Sequence, residues 1–444
     1  MRSNRHIKVF TLVACMVIAR LCAAADLSGD WVGQLTGPFD SQYTAQYNHV
    51  TLKADGTKLS GAWGTYALSG TLTGNKLDIT LNAADGKPAG TLTGTLAGDA
   101  FSGTGSVAPA PRAGVVAVQP PQQVTWKLTR AAVPPPTHKT YNFEPTMFYG
   151  TYSAAEPPVL HIFPGDTVNT RTMDAQGRDA HAIRHGTGGD ANVGPFYVEG
   201  ALPGDTLVVK IVKLRTNKPI GRQGSRFNQN TVTQAYAVAA KYDPNFNGSW
   251  QQDPDKNIAT LPPSPGLPHL TIPMQTMLGC ISVAPPGEEQ YTGTDLGVFG
   301  GNLDYNGNVQ GTTLYFPVFH PGALLGMGDA HGAMGDGEVV GTGLETSVDV
   351  TFTVDVIKGY ATPQVRAEDK DYIISFGVAG SVPDSIQLAT TQLAEWIKHD
   401  YKLNDSEVAL FLGDVLKYDI TELVDPRFNV VAKVPKSELA TLNK

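Results

Sequence analysis

The sequence predicts a mainly β protein in two parts: a small antiparallel barrel or sandwich, then a larger β-rich unit with a C-terminal helical hairpin. Three observations predict it. Charged residues make up 17% of the 444, while Gly and Pro number 48 and 31, a composition of many turns rather than long helices. Short runs of alternating apolar residues recur between Gly, Asp and Asn turn signals through the first third of the chain. Helical periodicity emerges clearly only near the C-terminus, from Ile386 onward.

The chain opens on a targeting segment. Arg2, Arg5 and Lys8 precede an apolar stretch from Val9 to Ala19, and Leu21 to Ala25 closes on small residues before Asp26. This is the pattern of a cleaved secretory signal over residues 1–25, too short to span a bilayer, so an exported protein (periplasmic or secreted) is expected. Cleavage would remove Arg2, Arg5, Lys8 and Arg20 and no acid, taking the formal charge from −8 to −12. It would also remove Cys15 and Cys22 and leave Cys280 alone, so no intramolecular disulfide can form. Core burial must then hold the protein together. Scattered Lys and Arg with a net negative charge argue against a nucleic-acid partner.

Residues 26–130 form the first folded unit, and they contain no Glu. Strands are predicted at Trp31–Leu35, Tyr47–Leu52, Leu59–Trp63, Leu68–Leu72, Leu77–Leu81, Gly90–Leu96 and Val124–Leu128. The pairs Asp55-Gly56, Gly74-Asn75, Asp85-Gly86 and Gly98-Asp99 supply hairpin turns between them. An antiparallel meander closing on itself follows. The unit has no His/Asp/Glu cluster, so its role is binding or packing.

The Pro-rich residues 131–138 read as a semi-rigid linker. The second unit, 139–444, begins with strand-like runs such as Val159–Val168 and Leu207–Lys213. Residues 299–346 hold 12 Gly in 48 positions, a density that marks tight turns or close backbone packing. Near the end, Ile386, Ala389, Leu393, Trp396 and Ile397 share a helical face after the capping candidates Asp384 and Ser385. Val408, Phe411, Leu412, Val415 and Leu416 form a second stripe after Asp405-Ser406. Both stripes are core.

The densest polar constellation is Asp329, His331, Asp336, Glu338 and Glu345 within the Gly-rich stretch. Asp329 and His331 are two apart and project from one face of an extended segment. A carboxylate and an imidazole so placed can supply two ligands of a zinc-like site. The same residues can equally make a Gly-rich turn whose acids bond backbone N–H groups. The run Gly300-Gly-Asn302-Leu-Asp304 either makes a structural turn with Asx hydrogen bonds, or its Asp304 completes a metal site or positions a water. Glu199 ends an apolar run, where a carboxylate is either solvated or does acid–base work. His181 and His185 read as loop histidines, and His161 and His320 as core histidines. Cys280, in an apolar strand, reads as an inert thiol. Gly-x-Ser-x-Gly, Ser-x-x-Lys, Walker and His-Glu-x-x-His motifs are absent, which removes support for the corresponding enzyme classes.

At these residues the sequence resembles the acetamidase/formamidase family. The matching stretches are Pro158–Val168, Gly194–Asp205, Gly279–Pro285, Gly300–Asp304, Gly311–Val318, Pro321–Glu345 and Val424–Ser437. The resemblance runs in order over most of 140–440 and leaves the N-terminal β unit outside. It implies a β-rich fold with a helical end, a homo-oligomer, and hydrolysis of a small linear amide to carboxylate and ammonia. It also implies a divalent metal, zinc before calcium, held by Asp304, Asp329 and His331. Glu338, Glu345 and Glu199 are then the candidate catalytic groups, and Asn302 and Asp336 the candidate substrate contacts. Gln275 stands where the family usually has Arg, and Val340 where it often has Cys. Gln275 and the added N-terminal β unit motivate the competing expectation, a non-catalytic binding protein on the same scaffold.

Overall fold

The computed structural model describes residues 27–38, 44–97, 100–108, 120–185 and 188–442. The expected signal segment, with Cys15 and Cys22, lies outside them, as does the turn signal Gly98-Asp99. The chain divides into two compact units after Ala131.

In the first unit, alternation has the predicted consequence. Strands β1 (Gly29–Gly37), β2 (Thr44–Asp55), β3 (Lys58–Trp63), β4 (Tyr66–Thr73), β5 (Lys76–Asn82), β6 (Pro88–Ala97), β7 (Ala100–Val107) and β8 (Gln122–Arg130) pair antiparallel in sequence order. β1 also pairs with β8, from Trp31 opposite Arg130 to Thr36 opposite Thr125, so the sheet closes into an eight-stranded barrel. Apolar residues point inward and Thr, Ser and Lys outward, the period-2 pattern of an up-and-down barrel. Trp63 and Trp126 meet edge to face at 6.1 Å inside, and Trp31 lies against Phe101 at the same distance. The interior is filled by side chains, as a barrel of this size allows. β7 is an addition to the seven strands expected. Phe101 and Val107 are its only large apolar residues, and Gly or Ala stands at several other positions, so its alternation is thin.

The second unit is a sandwich. One sheet has nine strands, running from Lys417–Glu422 at one edge to Thr140–Asn142 at the other. The other has eleven, and it carries the strands that build the site: β9 (Asn192–Val198), β10 (Met277–Ser282), β11 (Gly300–Asn302), β12 (Leu325–His331) and β13 (Glu345–Thr346). β12 is central, pairing with β10, β13 and β9. Every residue of β10 and β12 is buried, as expected of strands covered on both faces. The shared core joins Phe196, Ile281 and Met327 of this sheet to Val209, Phe316 and Phe352 of the other.

The helical hairpin covers the outer face of the nine-stranded sheet. Helix α1 (Val382–Tyr401) and helix α2 (Asp405–Val415) bury Ala389, Leu393, Ile397, Val408 and Leu412 with Ile373, Ala432 and Val434 of the sheet. Their caps fall one to four residues earlier than expected. Ser381 accepts from the N–H of Asp384, and Asn404 forms a capping box with Glu407. No described helix is long and apolar enough to cross a membrane.

Candidate active site

The site forms where segments of the eleven-stranded sheet converge. His331 ends β12 and lies directly across from Glu345 of β13, which sets the two side chains side by side. Asp329, two residues earlier, brings Oδ2 to 3.3 Å from His331 Nε2. Asp304 follows β11, where its N–H and that of Leu303 both donate to the Gly279 carbonyl. Glu338 arrives on the turn after β12, closed by the Gly341 N–H donating to its carbonyl at 2.7 Å. Asp304, Asp329 and Glu338 have φ of 40°, 42° and 45°, the left-handed region that side-chain-bearing residues rarely occupy. Three such residues in one cluster are the kind of local strain that folds hold at functional sites.

The predicted metal ligands come together, but in two sets that share the imidazole. Around Nε2 lie Glu345 Oε1 at 3.1 Å, Asp329 Oδ2 at 3.3 Å and Glu338 Oε1 at 3.9 Å. Asp304 Oδ1 is instead 3.8 Å from Nδ1. Donor atoms of Asp329, His331 and Glu345 fall within 4.8 Å of one another, as do those of Asp304, His331 and Glu338. All five residues are buried.

The donor set fits a cation. Both ring nitrogens of His331, both carboxylate oxygens of Asp304, Asp329 Oδ1 and Glu345 Oε2 are buried without a well-aligned hydrogen-bond partner. Polar atoms in such a place are ordinarily paired or bound to a metal. At two positions the backbone has no room for a side chain beside these groups. A Cβ at Gly279 would lie 2.5 Å from Asp304 Oδ1 and 2.6 Å from Asp329 Oδ2, and one at Gly343 would lie 2.4 Å from His331 Nδ1. These two glycines floor the cluster.

Crowding shifts the titrations. Burial first, then the charges of Glu338 and Asp329, push the Asp304 carboxyl well above its usual range. Burial takes Glu338 to about 10 and Glu345 to about 7. At His331 burial favours the neutral ring, but the charges of Glu345 and Asp329 outweigh it and raise the pKa well above the usual value.

Three acids of the cluster were not anticipated. Glu422 is fully buried, brought in by the parallel bridge between its residue and Gly337, and burial raises it to about 7. Asp425 accepts a hydrogen bond from Asn302 Nδ2 and is raised to about 6, chiefly by burial. Asp190 stands just before β9, whose Asn192 is opposite Gly328; burial and the charge of Asp329 raise it to about 9. Asp304, Glu422 and Asp425 form a third donor set. Asp190 and Asp425 are half-buried, so they mark the side on which the cluster approaches solvent.

Other expected residues are placed differently. Glu199 is not in the cluster: it lies past the far end of β9, where its carboxylate pairs with the exposed His161 at 2.7 Å. The antiparallel pairing of β9 with β12 sends Glu199 toward Gly322, away from Asp329. His161 is therefore an exposed residue stacked on Tyr197, not a core histidine. Asp336 is exposed and accepts from Asn306 Nδ2 at 2.7 Å. Asn302 is buried beside the cluster and bridges Cys280 to Asp425. Burial pushes the Cys280 thiol well above its ordinary range, which suits an inert thiol. Gln275 is exposed and donates to the Asn306 carbonyl at 2.6 Å.

Comparisons with known proteins bear on these same residues. The Acetamidase/Formamidase family model matches residues 298–382, the stretch holding Asn302, Asp304, Asp329, His331, Asp336, Glu338 and Glu345. An acetamidase of Mycolicibacterium smegmatis is 26% identical over 227 residues, covering 37% of this chain and 53% of that protein. A Schizosaccharomyces pombe protein provisionally named a formamidase is 27% identical over 211 residues, 37% of this chain and 51% of its own length. The chain thus spans about half the length of the curated relatives it matches. The crystal structure of an acetamidase from Yersinia enterocolitica is similar with a TM-score of 0.58 and 27% identity, covering 68% of this chain and 93% of that one. By the sequence of residues 298–382 and by fold over 68% of its length, this chain is similar to the acetamidase/formamidase family.

Proposed function

We propose that the protein hydrolyses the C–N bond of a small linear amide, giving a carboxylate and ammonia, with a divalent cation held in the acidic cluster. One observation carries the reading: the buried imidazole and carboxylates with orphaned ligand atoms lie inside the segment that matches the family. Asp329, His331 and Glu345 are the tightest donor set and would hold the cation. An imidazole among carboxylates favours zinc over calcium, which takes oxygen ligands alone. The cation would supply Lewis-acid polarisation of the amide carbonyl and of the attacking water.

The proton work falls to Glu338 and Glu422. Burial raises the Glu338 carboxyl to about 10, and the bridge between Gly337 and Glu422 brings a second raised carboxyl, at about 7, to the same side of the cluster. Such a pair can take a proton from the attacking water and return one to the departing nitrogen. Asn302, fixed by Asp425, offers a neutral amide beside the reacting groups. The pattern of residues 1–25 supports export as part of the same reading, and a mature chain beginning at Asp26 would test that point.

The deciding experiment is ammonia release from formamide, acetamide and longer amides, with and without chelator. Chelator-sensitive release is expected, largest for the shortest amides. A folded, zinc-loaded protein that releases no ammonia across the series would overturn the reading.

A further inference from the structure

A cavity of about 1040 Å³ lies far along the fold from the acidic cluster, between the nine-stranded sheet and the C-terminal helices. Its walls are the strands Thr313–Pro317, Arg366–Glu368 and Tyr372–Ala379, the last turns of α1, and the short helix α3 (Lys436–Leu439) with the residues after it. Alternation along the strands separates it from the core. Leu314, Ala367 and Ile374 point into the space between the sheets, so their neighbours Tyr315, Arg366 and Ile373 point the other way, toward the helices. Its size is near the upper end of small-molecule pockets and far above that of a packing defect.

Its chemistry centres on Arg366, which is only 4% exposed. The guanidinium sits over the Trp396 ring at 4.8 Å and near the Tyr360 ring at 5.8 Å. Nη2 donates to the Tyr360 hydroxyl at 3.1 Å, and Nε is buried with no acceptor. The acids that line the cavity are engaged by other groups. Glu368 accepts from the Tyr315 hydroxyl and from Lys436, at 2.5 and 2.6 Å. Asp400 accepts from Trp396 Nε1 at 3.0 Å and pairs with His399 at 2.8 Å. Those bonds fix the aromatic walls, and His399 stacks on Tyr360 to extend them. A buried guanidinium held by aromatic faces keeps its remaining in-plane donors for a planar anion, and carboxylates match that geometry. The aromatic walls want an apolar body.

We propose that this cavity is a second ligand site, taking a small carboxylic acid with a ring or other apolar body, its carboxylate on Arg366 and its body against Trp396 and Tyr360. The inference stands on residues outside the acidic cluster and does not depend on the amidase reading.

Benzoate is the probe, titrated calorimetrically into the full chain, with benzyl alcohol and acetate as the neutral and body-less controls. The expected result is saturable binding of one benzoate per chain, at least tenfold weaker for both controls. Arg366→Gln should weaken benzoate by tenfold or more. Arg366→Lys keeps the charge but loses the fork, so it should fall between, and it serves where Arg366→Gln does not fold. Asp329→Asn should leave benzoate binding unchanged. No saturable binding by the folded wild type would overturn the proposal, as would equal binding of benzoate and benzyl alcohol, undiminished binding by Arg366→Lys, or loss of binding in Asp329→Asn.

Discussion

The barrel and the second unit bury different things. Among the described residues, no polar or charged side chain of the barrel is buried; its interior is Trp, Phe, Leu, Ile and Val. The indole N–H groups of Trp31 and Trp126 reach backbone carbonyls, and among the described residues Trp63 Nε1 is the barrel's one buried side-chain polar atom without a partner. The second unit buries Asp304, Asp329, His331, Glu345 and Glu422 to within a few per cent, at a cost that apolar packing never incurs. A fold retains such groups where chemistry or a ligand requires them. On the proposed reading the contrast gives packing to the barrel interior and reaction to the second unit, although both are β structures.

The sharpest way to break the contrast is to remove one charge from the cluster. Asp329→Asn should lower ammonia release on the order of 10³-fold and lose the bound cation, while the barrel's unfolding transition stays in place. Metal content by elemental analysis, beside turnover, checks it; retained metal with full turnover would move the reaction elsewhere. The reciprocal change is Trp63→Ala in the barrel. Truncating a fully buried indole should cost the barrel about 3–5 kcal/mol. Denaturant unfolding followed by tryptophan fluorescence should show it, with turnover per folded molecule unchanged. A large loss of turnover would mean that the barrel is more than a packed module.

Legibility divides along the same line. The barrel was readable because each hairpin is local: Asp55-Gly56, Gly74-Asn75 and Asp85-Gly86 each join strands that pair with each other. Only β7 escaped, because Gly and Ala stand where its alternation would have shown. In the second unit, Asp329, His331 and Glu345 were readable because they sit on two paired strands close in sequence. Glu422, Asp425 and Asp190 were not, since non-local pairing alone carries them to the cluster from almost 100 residues downstream and about 140 upstream. Glu199 misled for the converse reason. A carboxylate ending an apolar strand looks the same in sequence at either end of the sheet, and only strand direction decides which end holds the site.

A smaller effect should appear in the pH dependence of stability after the cation is stripped. Asp425 is raised to about 6, Glu345 and Glu422 to about 7, Asp190 to about 9 and Glu338 to about 10. Between the ordinary carboxylate range, about 4, and these values, the native state keeps protons that the unfolded chain has released. Its stability must therefore fall as pH rises through that window. His331 acts in the same direction: its pKa is raised, so its stabilisation is complete at low pH and is lost on going up. Tm of the chelated protein should decline from pH 5 to pH 9, and added zinc should flatten the decline. A chelated Tm that climbs over that range would mean the acids are compensated by something other than a cation.

The smallest effect is the most discriminating for where the site ends. Glu199 and His161 meet at 2.7 Å with the imidazole 56% exposed, a setting in which such contacts are worth roughly 0–1 kcal/mol. Glu199→Gln should therefore leave ammonia release within about twofold of the parent and shift Tm little. Glu338→Gln removes a proton carrier from the cluster and should cost about 10²–10⁴-fold in turnover with the cation retained. Measured side by side, the two substitutions ask whether a carboxylate matters by its family position or by where the strand places it. Equal losses would extend the reacting site along β9 to its far end. A loss confined to Glu338 leaves the chemistry where β12 and β13 meet, where burial and crowding raise several carboxyls together.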